Sequence, residues 1–125
     1  LLLLQSAGLI ELSSSAGISA TVLDVTKNPH SFKFVEVEAA SLPRVIEDVD
    51  AAVINGNYAI PAGLSALNDG LFVEGADSPY VNIIAVKEGN EDNPAIKALV
   101  QCLQSQEIRD WVQANYPNGE VVLVF

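Results

Sequence analysis

The sequence is poor in the residues that do most metal and redox chemistry. It has one cysteine, one histidine and no methionine. A single Cys102 cannot form an internal disulfide or a cysteine-based zinc site. Basic residues are also scarce: six Lys and Arg stand against sixteen Asp and Glu, a formal charge of −10. That balance supplies no basic stripe for phosphate, which excludes nucleic acid as a partner. It equally disfavours docking on anionic headgroups. No apolar run approaches a membrane span, because Leu1–Leu4 is interrupted by Gln5, Ser6 and Gly8. No charged segment precedes those leucines, so they do not read as a secretory signal. An apolar helix that begins without a cap leads us to expect a chain whose N-terminal half lies outside this sequence.

What is present suits one folded domain. Half of the 125 residues are hydrophobic, enough to build a core. The first helix is expected over Leu1–Ala7 with a stop at Gly8, followed by a serine loop closed by Gly17. Ala20–Val25 leans towards strand, and Asn28-Pro29 marks a turn. Phe32–Ala39 reads as a strand. Ser41 is expected to cap a short helix over Arg44–Asp48, with Pro43 in its first turn. Ala51–Ile54 is a wholly apolar run of the kind buried in parallel sheets, and Val81–Val86 reads as a second, strongly apolar strand. Tyr58–Leu67 predicts a short helix broken near Pro61 and Gly63, and Leu71–Glu74 a brief extended piece. Asn93-Pro94 opens a helix carrying Ile96, Leu99, Val100 and Leu103. After Ser105 a second carries Ile108, Trp111 and Val112, and Pro117-Asn118-Gly119 ends it. Strands alternating with helices indicate an α/β architecture with a mixed or parallel sheet flanked by helices.

Catalytic groups are few. His30 follows a turn signal and reads as solvent-exposed, with no partner to make it a general base. Cys102 lies between apolar helix positions and is expected to be a buried, inert thiol. Glu88, Glu91 and Asp92 lack the spacing of an EF-hand, and Glu47, Asp48 and Asp50 read as a solvated helix end. No phosphate-cradling glycine pattern or nucleophile elbow occurs. No metal and no cofactor is expected, and the chain does not read as an enzyme.

Two asparagines stand out. Asn55 ends one apolar run and Asn82 lies inside the other, where a side-chain amide is costly unless hydrogen-bonded. An amide both donates and accepts, which suits the carboxylate and ammonium of an amino acid. Ligands of open α/β sheets sit beyond the carboxyl ends of strands, where Asn55 falls. Alternatively, each asparagine satisfies backbone groups at a turn.

Several stretches resemble one family. They are Val35-Glu36-Val37-Glu38-Ala39-Ala40-Ser41-Leu42-Pro43-Arg44, Val49-Asp50-Ala51-Ala52-Val53-Ile54-Asn55-Gly56-Asn57-Tyr58-Ala59 and Asp77-Ser78-Pro79-Tyr80-Val81-Asn82. With Leu1–Gln5 and Ala7-Gly8-Leu9-Ile10, they resemble the NlpA/MetQ family of methionine-binding lipoproteins that serve ABC importers. The resemblance covers essentially the whole chain, which corresponds to the C-terminal half of such proteins. It implies a type II periplasmic-binding-protein fold of two lobes, incomplete here. Residues 1–77 would form most of the second lobe, 78–86 would cross the hinge, and 87–125 would return to the first lobe. The implied function is capture of methionine or a related amino acid between the lobes and delivery to an importer permease. The implied ligand-binding residues are Asn55 and Asn82, with Tyr58 and Tyr80 as cleft wall or hinge. A ligand-binding arginine and a lipid-bearing cysteine would lie upstream of Leu1. The resemblance thus implies a periplasmic or cell-surface location, with membrane contact only through an N-terminal lipid anchor absent from these residues. A surface lipoprotein that keeps the fold as an interaction domain, without transport, is the alternative.

Overall fold

The computed structural model describes residues 1–76 and 78–125. Asp77, the expected end of the second-lobe segment, lies outside the described residues. The chain divides into two units, Leu1–Glu74 and Gly75–Phe125.

The first unit opens with helix α1, Leu2–Ser6, as the leucine run predicts. Its end is a complete Schellman closure. Gly8 N–H donates to the Gln5 carbonyl at 2.9 Å and Leu9 N–H to the Leu4 carbonyl at 3.0 Å. That geometry needs a left-handed residue, and Gly8 supplies it with φ +72°. The chain then buries Ile10, which is 2% exposed, and enters strand β1, Glu11–Leu12. β1 pairs antiparallel with β2, Val25–Lys27, with Glu11 opposite Lys27 and Leu12 opposite Val25. This register leaves Thr26 as the extra residue of a bulge, and its hydroxyl donates to the Glu11 carbonyl at 3.1 Å. Gln5 joins helix to strand, its Oε1 accepting from Leu12 N–H at 2.8 Å.

The rest of this unit is built from short helical turns. A 3-10 turn at Ala39–Ser41 runs into α2, Leu42–Val45, and a further turn at Ile46–Asp48. The expected cap is not made: Ser41 belongs to the preceding turn, its backbone already helical at φ −92°, ψ −17°. α3, Gly56–Ala59, continues into a turn at Ile60–Ala62 and stops at Gly63, where the Pro61 and Gly63 signals place the break.

The second unit contains α4, Pro94–Leu103, and α5, Gln106–Asn115. Their caps are those written in the sequence. Asn93 Oδ1 accepts from Ala95 N–H at 2.9 Å, and Ser105 Oγ from Ile108 N–H at 3.3 Å. Val112, 8% exposed, is buried on α5. The Trp111 and Tyr116 rings meet edge to face at 5.9 Å, and the Arg109 guanidinium lies 4.5 Å from the Phe125 ring centre.

The sheet differs from expectation. The one ladder among the described residues is the β1–β2 pair. Phe32–Glu38, Ala51–Ile54 and Val81–Val86, all expected as strands, join no ladder there, and Ala39 is helical. Ala20–Val25 is mostly a 3-10 turn at Val22–Asp24, and only Val25 enters β2. The apolar composition of these runs is real, but a strand exists only when a neighbour takes its N–H and C=O groups. The expected core is correspondingly small: Ile10 and Val112 are the buried apolar residues among those described.

Candidate functional site

Asn55 is the N-cap of α3. Its carbonyl accepts from Tyr58 N–H at 2.9 Å and Ala59 N–H at 3.0 Å, while its side chain makes no capping bond. The backbone of the turn is therefore satisfied without the amide, which is exposed. Tyr58, in the same short helix, is half-buried. α3 thus places a free amide and a partly sheltered phenol three residues apart, on neighbouring positions of one helical face.

Asn82 and Tyr80 belong to the second unit, and both are exposed. Tyr80 N–H donates to Ser78 Oγ at 3.1 Å, so the Ser78-Pro79-Tyr80 corner is held by a local turn bond. Asn82 follows within the apolar run Val81–Val86. Its amide makes no hydrogen bond with another described residue, leaving both its donors and its acceptor available. The four expected site residues are therefore divided, Asn55 and Tyr58 in one unit and Asn82 and Tyr80 in the other.

One groove, absent from the sequence reading, lies in the first unit, with a volume of about 730 Å³ and Gln5, Ile10, Glu11, Lys27 and Asn28 in its lining. Its polar groups answer one another. Lys27 Nζ reaches the Glu11 carboxylate at 2.8 Å, Gln5 holds Leu12, and Asn28 bonds both ways with the Phe32 backbone at 2.9 Å. Paired polar groups of this kind position loops and leave little to offer a charged ligand. Only the Asn28-Pro29 turn signal hinted at this feature, and it pointed to the turn rather than to a groove.

Two carboxylates are held below their ordinary range. Thr21 donates backbone and hydroxyl hydrogens to Asp24, at 2.7 and 2.8 Å, and this lowers its pKa. Glu120 is lowered mainly by its own backbone N–H, with Asn118 adding side-chain and backbone donors. Both serve turns. Cys102 corrects the sequence expectation: it is exposed, not buried. Its position on α4 faces away from Ile96 and Val100, the half-buried residues of that helix. His30 lies exposed in its turn, as expected, beside the Phe32 ring at 5.4 Å. Among the described residues no three His, Cys, Asp or Glu side chains converge on a metal position, and no helix is long and apolar enough to cross a membrane.

The wider resemblances of the chain bear on these positions. It is 45% identical over 121 residues to the probable D-methionine-binding lipoprotein MetQ of Pasteurella multocida, covering 97% of this chain and 44% of the relative. It is 47% identical over 119 residues to the membrane lipoprotein TpN32 of Treponema pallidum, covering 95% of this chain and 44% of that protein. It also matches the solved structure of a nutrient-binding protein from Burkholderia cenocepacia bound to methionine. There the TM-score is 0.84 at 45% identity, over 99% of this chain and 52% of the other. The chain thus spans about half the length of the relatives it matches, and it has the α/β fold of the corresponding part of these binding proteins. A family model described as NlpA lipoprotein matches residues 1–125, and the chain belongs to that family.

Proposed function

We propose that this chain supplies part of a methionine-binding site in the substrate-binding component of an ABC importer. The observation that carries the reading is the match over 99% of the chain to a binding protein whose structure holds methionine. The chemistry of the exposed amides supports it. Asn55 and Asn82 each keep an amide without a partner among the described residues, and together they offer donors for a carboxylate and acceptors for an ammonium. Tyr58 and Tyr80 flank them in sequence and serve as cleft wall or hinge. In this reading residues 1–77 form most of one lobe, 78–86 cross the hinge and 87–125 return to the other lobe. Ligand capture is by closure, because contacts made only in the closed state shift the population towards it. The closed form is then recognised by the permease. The chain acts by binding and not by catalysis. The location that follows is periplasmic or cell-surface, with a lipid anchor outside this chain.

The test joins this chain, in the relative's own chain order, to the part of the B. cenocepacia protein that it does not span. Calorimetry with L- and D-methionine is expected to show binding. Asn82→Ala is expected to weaken it about ten- to a hundred-fold, the cost of losing a hydrogen bond to a charged group. Saturable binding that Asn82→Ala leaves unchanged would remove Asn82 from the site. No binding of either isomer would favour an interaction domain without transport.

A further inference from the structure

The sequence holds two Asn-Gly pairs, Asn55-Gly56 and Asn118-Gly119. Asparagine before glycine is chemically labile, because a following residue without Cβ lets its backbone nitrogen reach the side-chain amide carbon. The two pairs are held differently. Asn55 and Gly56 are both exposed, and the Asn55 amide makes no capping bond. Gly56 is the first residue of α3, so its N–H has no carbonyl within the helix to bond. The Asn55 carbonyl accepts from Tyr58 and Ala59 N–H at 2.9 and 3.0 Å, which fixes the Gly56 nitrogen against the helix. Asn55 ψ is 144°. Turning it brings the amide carbon towards that nitrogen and displaces Ala51–Ile54, which joins no ladder among the described residues, rather than the helix. At Asn118 the amide is engaged. Its Nδ2 donates to Glu120 Oε1 at 3.1 Å and its backbone N–H to Oε2 at 3.0 Å. A carboxylate beside the pair also opposes the anionic nitrogen that cyclisation needs at Gly119.

We propose that Asn55-Gly56 is a site of spontaneous modification, where the Asn55 amide converts to aspartate and isoaspartate, and that Glu120 protects Asn118-Gly119 from the same reaction. The Gly56 nitrogen gives its proton to solvent base and attacks Asn55 Cγ. The Cγ–Nδ2 bond breaks, and Nδ2 leaves as ammonia after taking a proton from water. Water then opens either carbonyl of the cyclic imide, giving aspartate or isoaspartate. Water is the sole co-reactant, and nothing is oxidised or reduced. The change replaces two amide donors with a negative charge. Its effect on methionine rests on the function proposed above: a carboxylate at residue 55 repels the ligand's own carboxylate.

The test incubates the chain in mildly alkaline heavy-oxygen water and maps the label by mass spectrometry. Peptides of residues 51–59 and 115–123 give the rates without folded structure. Asn55 is expected to convert at close to its peptide rate, with isoaspartate among the products. Asn118 is expected to convert about ten-fold more slowly than its own peptide, the rate cost of breaking its hydrogen bonds to a carboxylate. Glu120→Ala is expected to remove that protection, and Gly56→Ala to suppress conversion at Asn55. Asn55 staying intact while its peptide converts overturns the proposal, as does Asn118 converting as readily as its own peptide. In the protein joined to the B. cenocepacia portion, methionine affinity is expected to fall with the converted fraction of Asn55. Conversion that leaves that affinity unchanged keeps the modification site and counts against Asn55 as a ligand residue alone.

Discussion

Thr21 and Asp24 close the 3-10 turn that leads into β2. Asp24 Oδ2 accepts from the Thr21 backbone N–H at 2.7 Å and from its hydroxyl at 2.8 Å. The Asp24 carbonyl in turn accepts from Ser13 N–H at 2.8 Å, tying this turn to the end of β1. Donors aimed at a carboxylate favour its charged form, so its pKa in the folded chain lies below the ordinary 3.8. A group with a lowered folded pKa stabilises above its unfolded value and loses that contribution as pH falls through its folded value. Asp24→Ala is therefore expected to destabilise the first unit at pH 7. The difference from the parent should shrink once the pH drops below about 3.8. Urea midpoints measured from pH 7 down to acid conditions check this. A constant difference at all pH values would show that the turn does not depend on the carboxylate charge.

The caps of the two long helices make a separate prediction. Asn93 and Ser105 each satisfy an amide that the helix itself leaves open. Replacing either by Ala should cost about 1 kcal/mol. The loss should be local: faster exchange at Ala95 for Asn93→Ala and at Ile108 for Ser105→Ala. Because the capping residues lie at the starts of different helices, the double variant should show nearly additive loss. Strong non-additivity would mean that α4 and α5 form as one cooperative piece.

Gly70 is constrained by space. A side-chain carbon there would overlap the Ala66 carbonyl oxygen, which belongs to backbone and cannot swing aside. The neighbouring turn is fixed, with Ser65 N–H donating to Asp69 Oδ2 at 2.7 Å and Asp69 N–H to the Ser65 carbonyl at 2.8 Å. Gly70→Ala is expected to destabilise by about 1–3 kcal/mol. Thermal melts of the variant check it, and an unchanged midpoint would show that this turn relaxes freely.

Local chemistry was legible in the sequence, and distant pairing was not. Gly8, Gly63, Asn93-Pro94 and Ser105 act within a few residues of themselves, and each stops or starts a helix where its chemistry says it should. Ser41 failed as a cap because the residues before it were already turning, which a capping pattern does not register. The runs Ala51–Ile54 and Val81–Val86 failed as strands for a different reason. Apolar composition measures what a segment could bury, whereas a ladder depends on what lies beside it. Cys102 was misread by the same route: its neighbours Val100 and Leu103 are apolar, but it occupies another side of the helix. For the site, the residue types Asn and Tyr were readable at 55, 58, 80 and 82. Their proposed use in one ligand site depends on tertiary arrangement, which no local pattern encodes.

That dependence leads to a prediction for the isolated chain. Small-molecule sites hold their ligands by burying most of the ligand surface around a few convergent polar groups. Here Asn55 and Asn82 are exposed and belong to different units. The groove in the first unit spends its charged pair internally, with Lys27 on Glu11 at 2.8 Å. An exposed amide competes with water for each hydrogen bond and gains little. Residues 1–125 alone are therefore expected to bind methionine with a Kd weaker than about 1 mM, corresponding to less than about 4 kcal/mol. Titration calorimetry on the purified chain, with sedimentation to establish its association state, measures this directly. A monomer that binds methionine at micromolar concentration would place a complete site within these residues, and the proposal that they supply only part of it would be wrong.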